Sequence, residues 1–154
     1  MGWRERSLAP LRPHLMPSRH PATNLISLLG PPVAMMALIF FLSAQSSSGD
    51  HSTFELVLRK MAHVTEYAVL TLLWARAVAG LGAARNVRTT LALAVALSLA
   101  YAATDEFHQA FVAGRHGTPV DVLIDAIGMT IAYLVGTRVY ARRRSLGPSR
   151  PSAA

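Results

Sequence analysis

Four apolar stretches, each about as long as a bilayer is thick, constrain this chain more than any other feature. They cover residues 25–44, 60–81, 89–111 and 120–141, and about 20 helical residues cross a hydrocarbon core of about 30 Å. The chain is 52% apolar and only 15% charged, whereas soluble domains carry about 25% charged residues. These numbers exclude an ordinary soluble enzyme. They predict an all-α fold, an integral membrane four-helix bundle.

The domain organisation follows from where the apolar stretches begin and end. Residues 1–24 are basic and broken by proline, which predicts a disordered cytoplasmic tail. Residues 25–141 form the four-helix transmembrane domain, and residues 142–154 form a second basic cytoplasmic tail. Pro31 and Pro32 lie inside the first stretch, so we expect the regular helix to begin near them, after a kinked lead-in. A cleaved signal peptide is the alternative, but the long basic lead and the two prolines favour retention.

Basic residues are distributed unequally between the two sides of the predicted membrane. With the amino terminus inside, ten arginines lie in cytoplasmic segments, against three basic residues outside, namely Arg59, Lys60 and Arg115. This is the positive-inside pattern, and it predicts that both termini are cytoplasmic. It also accounts for a pI near 11.0 without any nucleic-acid partner.

Acidic residues show the opposite distribution, because seven of the eight fall in the outer half. Ionisable groups at membrane depth are costly and usually functional, so we expect those on helices two to four to gather in one outer pocket. Glu106 is the weakest member, since it lies about 100° around its helix from Asp105. The candidate catalytic residues are His63, Glu66, Asp105 and His108. The candidate ligand-binding residues are Lys60, Tyr67, Glu106, Gln109, Arg115, Asp121 and Asp125.

The same polar residues also have a purely structural interpretation. They could form hydrogen bonds that hold helices together, with Lys60 reaching to the membrane interface. No cofactor is predicted: a divalent cation on Asp and His is only weakly indicated, since the spacing matches no established metal motif. The chain has no cysteine, which excludes disulfides and thiolate chemistry.

The fourth stretch carries two local signals. Thr118, Pro119 and Asp121 are typical of a helix start, with a hydroxyl cap, proline at the first position and an acid at the third. Further along one face come Gly128, Ala132 and Gly136. Small residues at this spacing allow another helix to approach closely, so this face is predicted to be a packing seam that directs Asp125 into the bundle.

Taken together, the polar motifs resemble the VanZ-like family of small bacterial membrane proteins. The resemblance spans residues 40–136 and implies a four-helix protein of the bacterial cytoplasmic membrane; the founding members of the family are linked to low-level resistance to the glycopeptide teicoplanin. It implies no settled reaction. The motifs that carry it are Phe40-x-x-Ser43-x-Gln45, Lys60-x-x-His63-x-x-Glu66-Tyr67, Tyr101-x-x-x-Asp105-Glu106-x-His108-Gln109, Gly114-Arg115 and Asp121-x-x-x-Asp125-x-x-Gly128.

Three functions fit these residues at this point. The first is binding of, or action on, an anionic envelope ligand, lipid-linked or glycopeptide-like, at the outer face. The second is a hydrolase or transferase of lipid-linked phosphate, in which Asp105 orients His63 or His108 for acid-base work. The third is a small proton-coupled carrier. Four short helices without an internal repeat are few for a transporter, unless the protein oligomerises. Membrane lipid is a partner in all three, and the oligomeric state stays open.

Overall fold

Four long helices make up the part of the chain that the computed structural model describes, residues 21–45, 52–113 and 118–145. They are α1 (Pro21–Ser43), α2 (Thr53–Gly80), α3 (Val87–Gln109) and α4 (Pro119–Ser145), and they confirm the all-α fold with four helices. Three segments are long and apolar enough to cross a membrane: Leu25–Ser43, Val87–Gln109 and Pro119–Arg142. Large apolar side chains such as Phe41 and Leu123 are exposed on the bundle, as expected of surfaces that face lipid.

Helix α2 falls short of that apolarity because Arg59, Lys60, His63, Glu66 and Arg76 interrupt it. The position of α2 in the bundle explains how this helix can carry so many polar residues. Among the described residues α2 packs against each of the other three helices, whereas α1 packs against α2 and α3 only. A helix surrounded by other helices can direct polar side chains into the bundle instead of into lipid.

Local sequence signals set where three of the helices begin. Ser52 and Glu55 form a capping box at the start of α2, so this helix begins at Thr53, before the expected start at Lys60. Asn86 accepts a hydrogen bond from the backbone N–H of Thr89 at 2.9 Å and caps α3. Helix α4 begins at Pro119, as its sequence predicts.

The proline pair in α1 does not mark the start of the helix, contrary to expectation. The helix is continuous through Pro31 and Pro32. Proline lacks the N–H that would bond to the carbonyl four residues earlier, which for Pro31 is the carbonyl of Ser27. Arg76 of α2 replaces that donor, because its Nη1 lies 2.8 Å from the Ser27 carbonyl oxygen. Sequence analysis missed this role for Arg76.

The small-residue face of α4 forms the predicted packing seam. Gly128 lies so close to α2 that a Cβ there would overlap the carbonyl oxygen of Val64 and lie 3.1 Å from the backbone nitrogen of Ala68. Farther along, Gly136 packs against the side chain of Leu91 on α3. These contacts bring α4 against both neighbours and place its first turns beside α2 and α3.

Candidate functional site

Ionisable and polar side chains from all four helices meet at the end of the bundle where α1 and α3 end and where α2 and α4 begin. We call this group the polar cluster. Its members are Ser43, His63, Asp105, Glu106, Gln109 and Asp125, and all but the partly buried His63 are buried.

Asp105 lies on the side of α3 that faces α1. Its Oδ2 accepts hydrogen bonds from the Ser43 hydroxyl at 2.8 Å and from the Gln109 amide at 2.9 Å. Its Oδ1 is buried without a hydrogen-bond partner. Asp105 therefore connects α1 to α3, and only half of its acceptor capacity is used. Ser43 was not among the predicted site residues, although it belongs to a motif that carries the family resemblance.

Asp125 is fully buried and faces His63 across the α2–α4 contact. Its Oδ1 lies 3.2 Å from His63 Nδ1, and its Oδ2 has no hydrogen-bond partner. Histidine and carboxylate thus form a pair, as the catalytic hypothesis required. The carboxylate in that pair is Asp125, whereas Asp105, which was expected to orient the histidine, binds Ser43 and Gln109 instead.

Glu106 is buried even though it points about 100° away from Asp105. Its Oε2 accepts a hydrogen bond from the backbone N–H of Thr118, just before α4, at 3.0 Å. Both acids can be buried because α3 packs against α1 on one side and against α4 on another. The expectation that the two carboxylates would not share a site is wrong, because the Gln109 amide lies 2.9 Å from Asp105 Oδ2 and 3.4 Å from Glu106 Oε1.

At the edge of the polar cluster, Lys60 forms an ion pair with Asp121, with Nζ 2.9 Å from Oδ1. The side chain of Lys60 is 50% exposed and that of Asp121 is 29% exposed. Asp121 also accepts a hydrogen bond from the Thr118 hydroxyl at 2.7 Å. Arg115, the other predicted basic group, lies outside the described residues. Among the described residues, Lys60 is therefore an accessible cation beside the cluster.

Three further predicted site residues, Tyr67, His108 and Glu66, differ in burial and in the side chains that they contact. Tyr67 is fully buried, its hydroxyl has no hydrogen-bond partner, and its ring lies 6.3 Å from that of His63. His108 stacks on Phe40 of α1 at a centroid distance of 4.3 Å, and its buried Nε2 has no hydrogen-bond partner. Glu66 is half-buried. His108 thus packs against α1 on an aromatic ring, whereas His63 pairs with an acid.

The composition of the polar cluster determines what it can do chemically. Three buried carboxylates meet one histidine, and buried charge is costly unless it is paired. His63, Glu106 and Asp125 each offer one ligand atom, and these atoms lie within 4.8 Å of one another. Such a group can exchange protons or hold a cation, while Lys60 can bind an anion at the edge.

The fold and the site together define a class: small four-helix membrane proteins with an ionisable cluster at one end of the bundle. The sequence model of the VanZ/LLP1 family matches residues 14–140. The chain therefore belongs to the VanZ/LLP1 family, as its motifs suggested. No curated protein and no solved structure matches it.

Proposed function

We propose that this VanZ-family membrane protein binds an anionic cell-envelope ligand at the extracytoplasmic face of the bacterial cytoplasmic membrane. The observation that carries the proposal is the half-exposed Lys60, which lies at the edge of the polar cluster. Arg115 falls between α3 and α4 in the sequence. In the proposed orientation Lys60 would lie near the phosphate headgroups of the outer leaflet, since it falls at the end of the bundle and its long side chain can reach the membrane interface. Family membership links the protein to glycopeptide susceptibility, and a ligand of cell-wall synthesis or of the cell surface accounts for that link.

The proposed orientation rests on basic residues at the end of the bundle opposite the polar cluster. Arg85 lies between α2 and α3, Arg88 lies in the first turn of α3, and Arg138 and Arg142 lie in the last turns of α4. By the positive-inside rule this end is cytoplasmic, which makes the polar cluster extracytoplasmic. A nucleotide-using enzyme would need its site at the cytoplasmic end.

Sidedness can be tested directly because the chain has no cysteine. We expect an impermeant thiol reagent to label Ser48→Cys and His116→Cys in intact cells, and to label Arg85→Cys only after the cells are permeabilised. The cysteine-free parent protein is the control for background labelling. Labelling of Arg85→Cys but not of His116→Cys in intact cells would reverse the orientation and would contradict an outward-facing site.

The ligand proposal predicts that Lys60→Gln and Arg115→Gln each weaken binding of a polyprenyl phosphate to the protein in nanodiscs. A hydrogen bond to a charged group contributes about 1.5–3 kcal/mol, so we expect affinity to fall about tenfold or more. Arg85→Gln, at the other end of the bundle, is the matched control and should bind as the wild type does. Equal losses in all three variants would indicate nonspecific electrostatics, and no loss in any would contradict the proposal.

A cellular measurement connects binding to the family link. Expression of the wild type in a susceptible bacterium should lower its susceptibility to teicoplanin, and Lys60→Gln at an equal protein level should lose that effect.

A second candidate function, hydrolysis or transfer of lipid-linked phosphate, is favoured by one observation, the His63–Asp125 pair. Turnover of the polyprenyl phosphate that disappears in His63→Gln would support it.

A further inference from the structure

We propose that His63, Glu106 and Asp125 form a binding site for a divalent transition-metal ion of the zinc type. The three residues come from α2, α3 and α4, so an ion between them would join three helices at the outer end of the bundle. The inference concerns metal binding alone and does not depend on which envelope ligand the protein takes.

The first argument is geometric. The three ligand atoms lie within 4.8 Å of one another. Ligands at about 2.0–2.2 Å around a tetrahedral zinc ion lie about 3.4 Å apart, so small side-chain rotations close the remaining gap. Two ligands already converge, because His63 Nδ1 lies 3.2 Å from Asp125 Oδ1.

The second argument is an unsatisfied group inside the cluster. Asp125 is fully buried, and its Oδ2 has no hydrogen-bond partner. Nearly all buried polar atoms in folded proteins have a partner, and a carboxylate oxygen without one is costly. A cation bound through both carboxylate oxygens of Asp125, or through Oδ2 alone, would satisfy this oxygen, which helix packing alone leaves unexplained.

The third argument is charge and ligand type. Glu106 and Asp125 together neutralise a divalent ion, and His63 can add a neutral imidazole nitrogen. Imidazole with carboxylates suits zinc and related transition metals, whereas Mg²⁺ and Ca²⁺ prefer an all-oxygen set. Three protein ligands leave a fourth position, which water or an anionic oxygen can occupy.

The test uses the full chain purified in detergent, stripped with a chelator and then titrated with Zn²⁺. We expect one ion per chain by elemental analysis after gel filtration, and an increase in the unfolding temperature. Asp125→Asn and His63→Gln should each weaken zinc affinity at least about 100-fold, because loss of a ligand exceeds the 10–100-fold effect of changing its supporting contacts.

Two matched controls make the same chemical changes outside the proposed site. His108→Gln alters a histidine that stacks on Phe40, and Glu55→Gln alters a carboxylate of the α2 capping box. Both should bind zinc like the wild type. The proposal is overturned if the wild type binds no zinc, if the ligand variants keep its affinity, or if the controls lose as much.

Competition and stability measurements on the wild type cover the case in which a ligand variant does not fold. Zinc should remain bound in excess Mg²⁺ and should raise the unfolding temperature. Displacement by Mg²⁺ would overturn the zinc assignment. Polyprenyl phosphate binding is measured separately. If the zinc-bound protein does not bind polyprenyl phosphate, the proposed function is contradicted and the metal site is not.

Discussion

Gly128→Ala should lower the free energy of unfolding by about 3 kcal/mol, the upper part of the usual range for overpacking. The added methyl group would overlap the carbonyl oxygen of Val64 and approach the backbone of Ala68. Backbone atoms cannot rotate away as a flexible side chain can, so α2 and α4 must move apart. The shift would also separate His63 from Asp125. Equilibrium unfolding of the purified protein in detergent measures the effect.

Gly30→Ala is the matched control, since no atom of another helix lies within 4 Å of a Cβ at that position in α1. Alanine is the better helix former by about 0.8–1.0 kcal/mol in a helix interior, whereas Pro31 disfavours the α conformation for a preceding residue that carries a Cβ. The two effects oppose each other, so this variant should be within about 1 kcal/mol of the wild type. A Gly128→Ala protein that unfolds like Gly30→Ala would show that α2 and α4 do not pack as closely as the structure indicates.

Asp105→Leu should lower the free energy of unfolding by about 2–5 kcal/mol. The substitution removes two hydrogen bonds, one from the Ser43 hydroxyl and one from the Gln109 amide, and a hydrogen bond to a charged group contributes about 1.5–3 kcal/mol. Gln109 keeps a longer contact to Glu106 Oε1 at 3.4 Å, which offsets part of its loss. The loss of these two hydrogen bonds outweighs the relief of removing one carboxylate from an acidic cluster when protons or a cation neutralise that cluster. The measurement is again equilibrium unfolding in detergent.

Asp105→Asn separates the effect of the charge from the effect of the hydrogen bonds, because it removes the charge but keeps an oxygen that can accept both hydrogen bonds. We expect Asp105→Asn to lower the free energy of unfolding by less than half as much as Asp105→Leu does. If Asp105→Leu were as stable as the wild type, repulsion among the carboxylates would outweigh the hydrogen bonds. The polar cluster would then be a strained site, and its interpretation as interhelical packing would be excluded.

Local sequence determined much of the bundle. Apolar length predicted four helices, Thr118-Pro119 marked the start of α4, and the spacing from Gly128 to Gly136 marked the seam, because each signal acts within a few turns of one helix. The same local reasoning failed at Pro31, because the donor that replaces its missing N–H is Arg76, on another helix.

Only the tertiary structure decided which side chains meet. Helical periodicity places Asp105 and Glu106 on different faces of α3, but whether each face meets lipid or protein depends on the neighbours. The partner of His63 is Asp125 and the partner of Lys60 is Asp121, because close contact at Gly128 sets the rotation and height of α4 against α2. Periodicity describes a residue relative to its own helix axis, and pairing depends on how the axes are placed, which long-range packing determines.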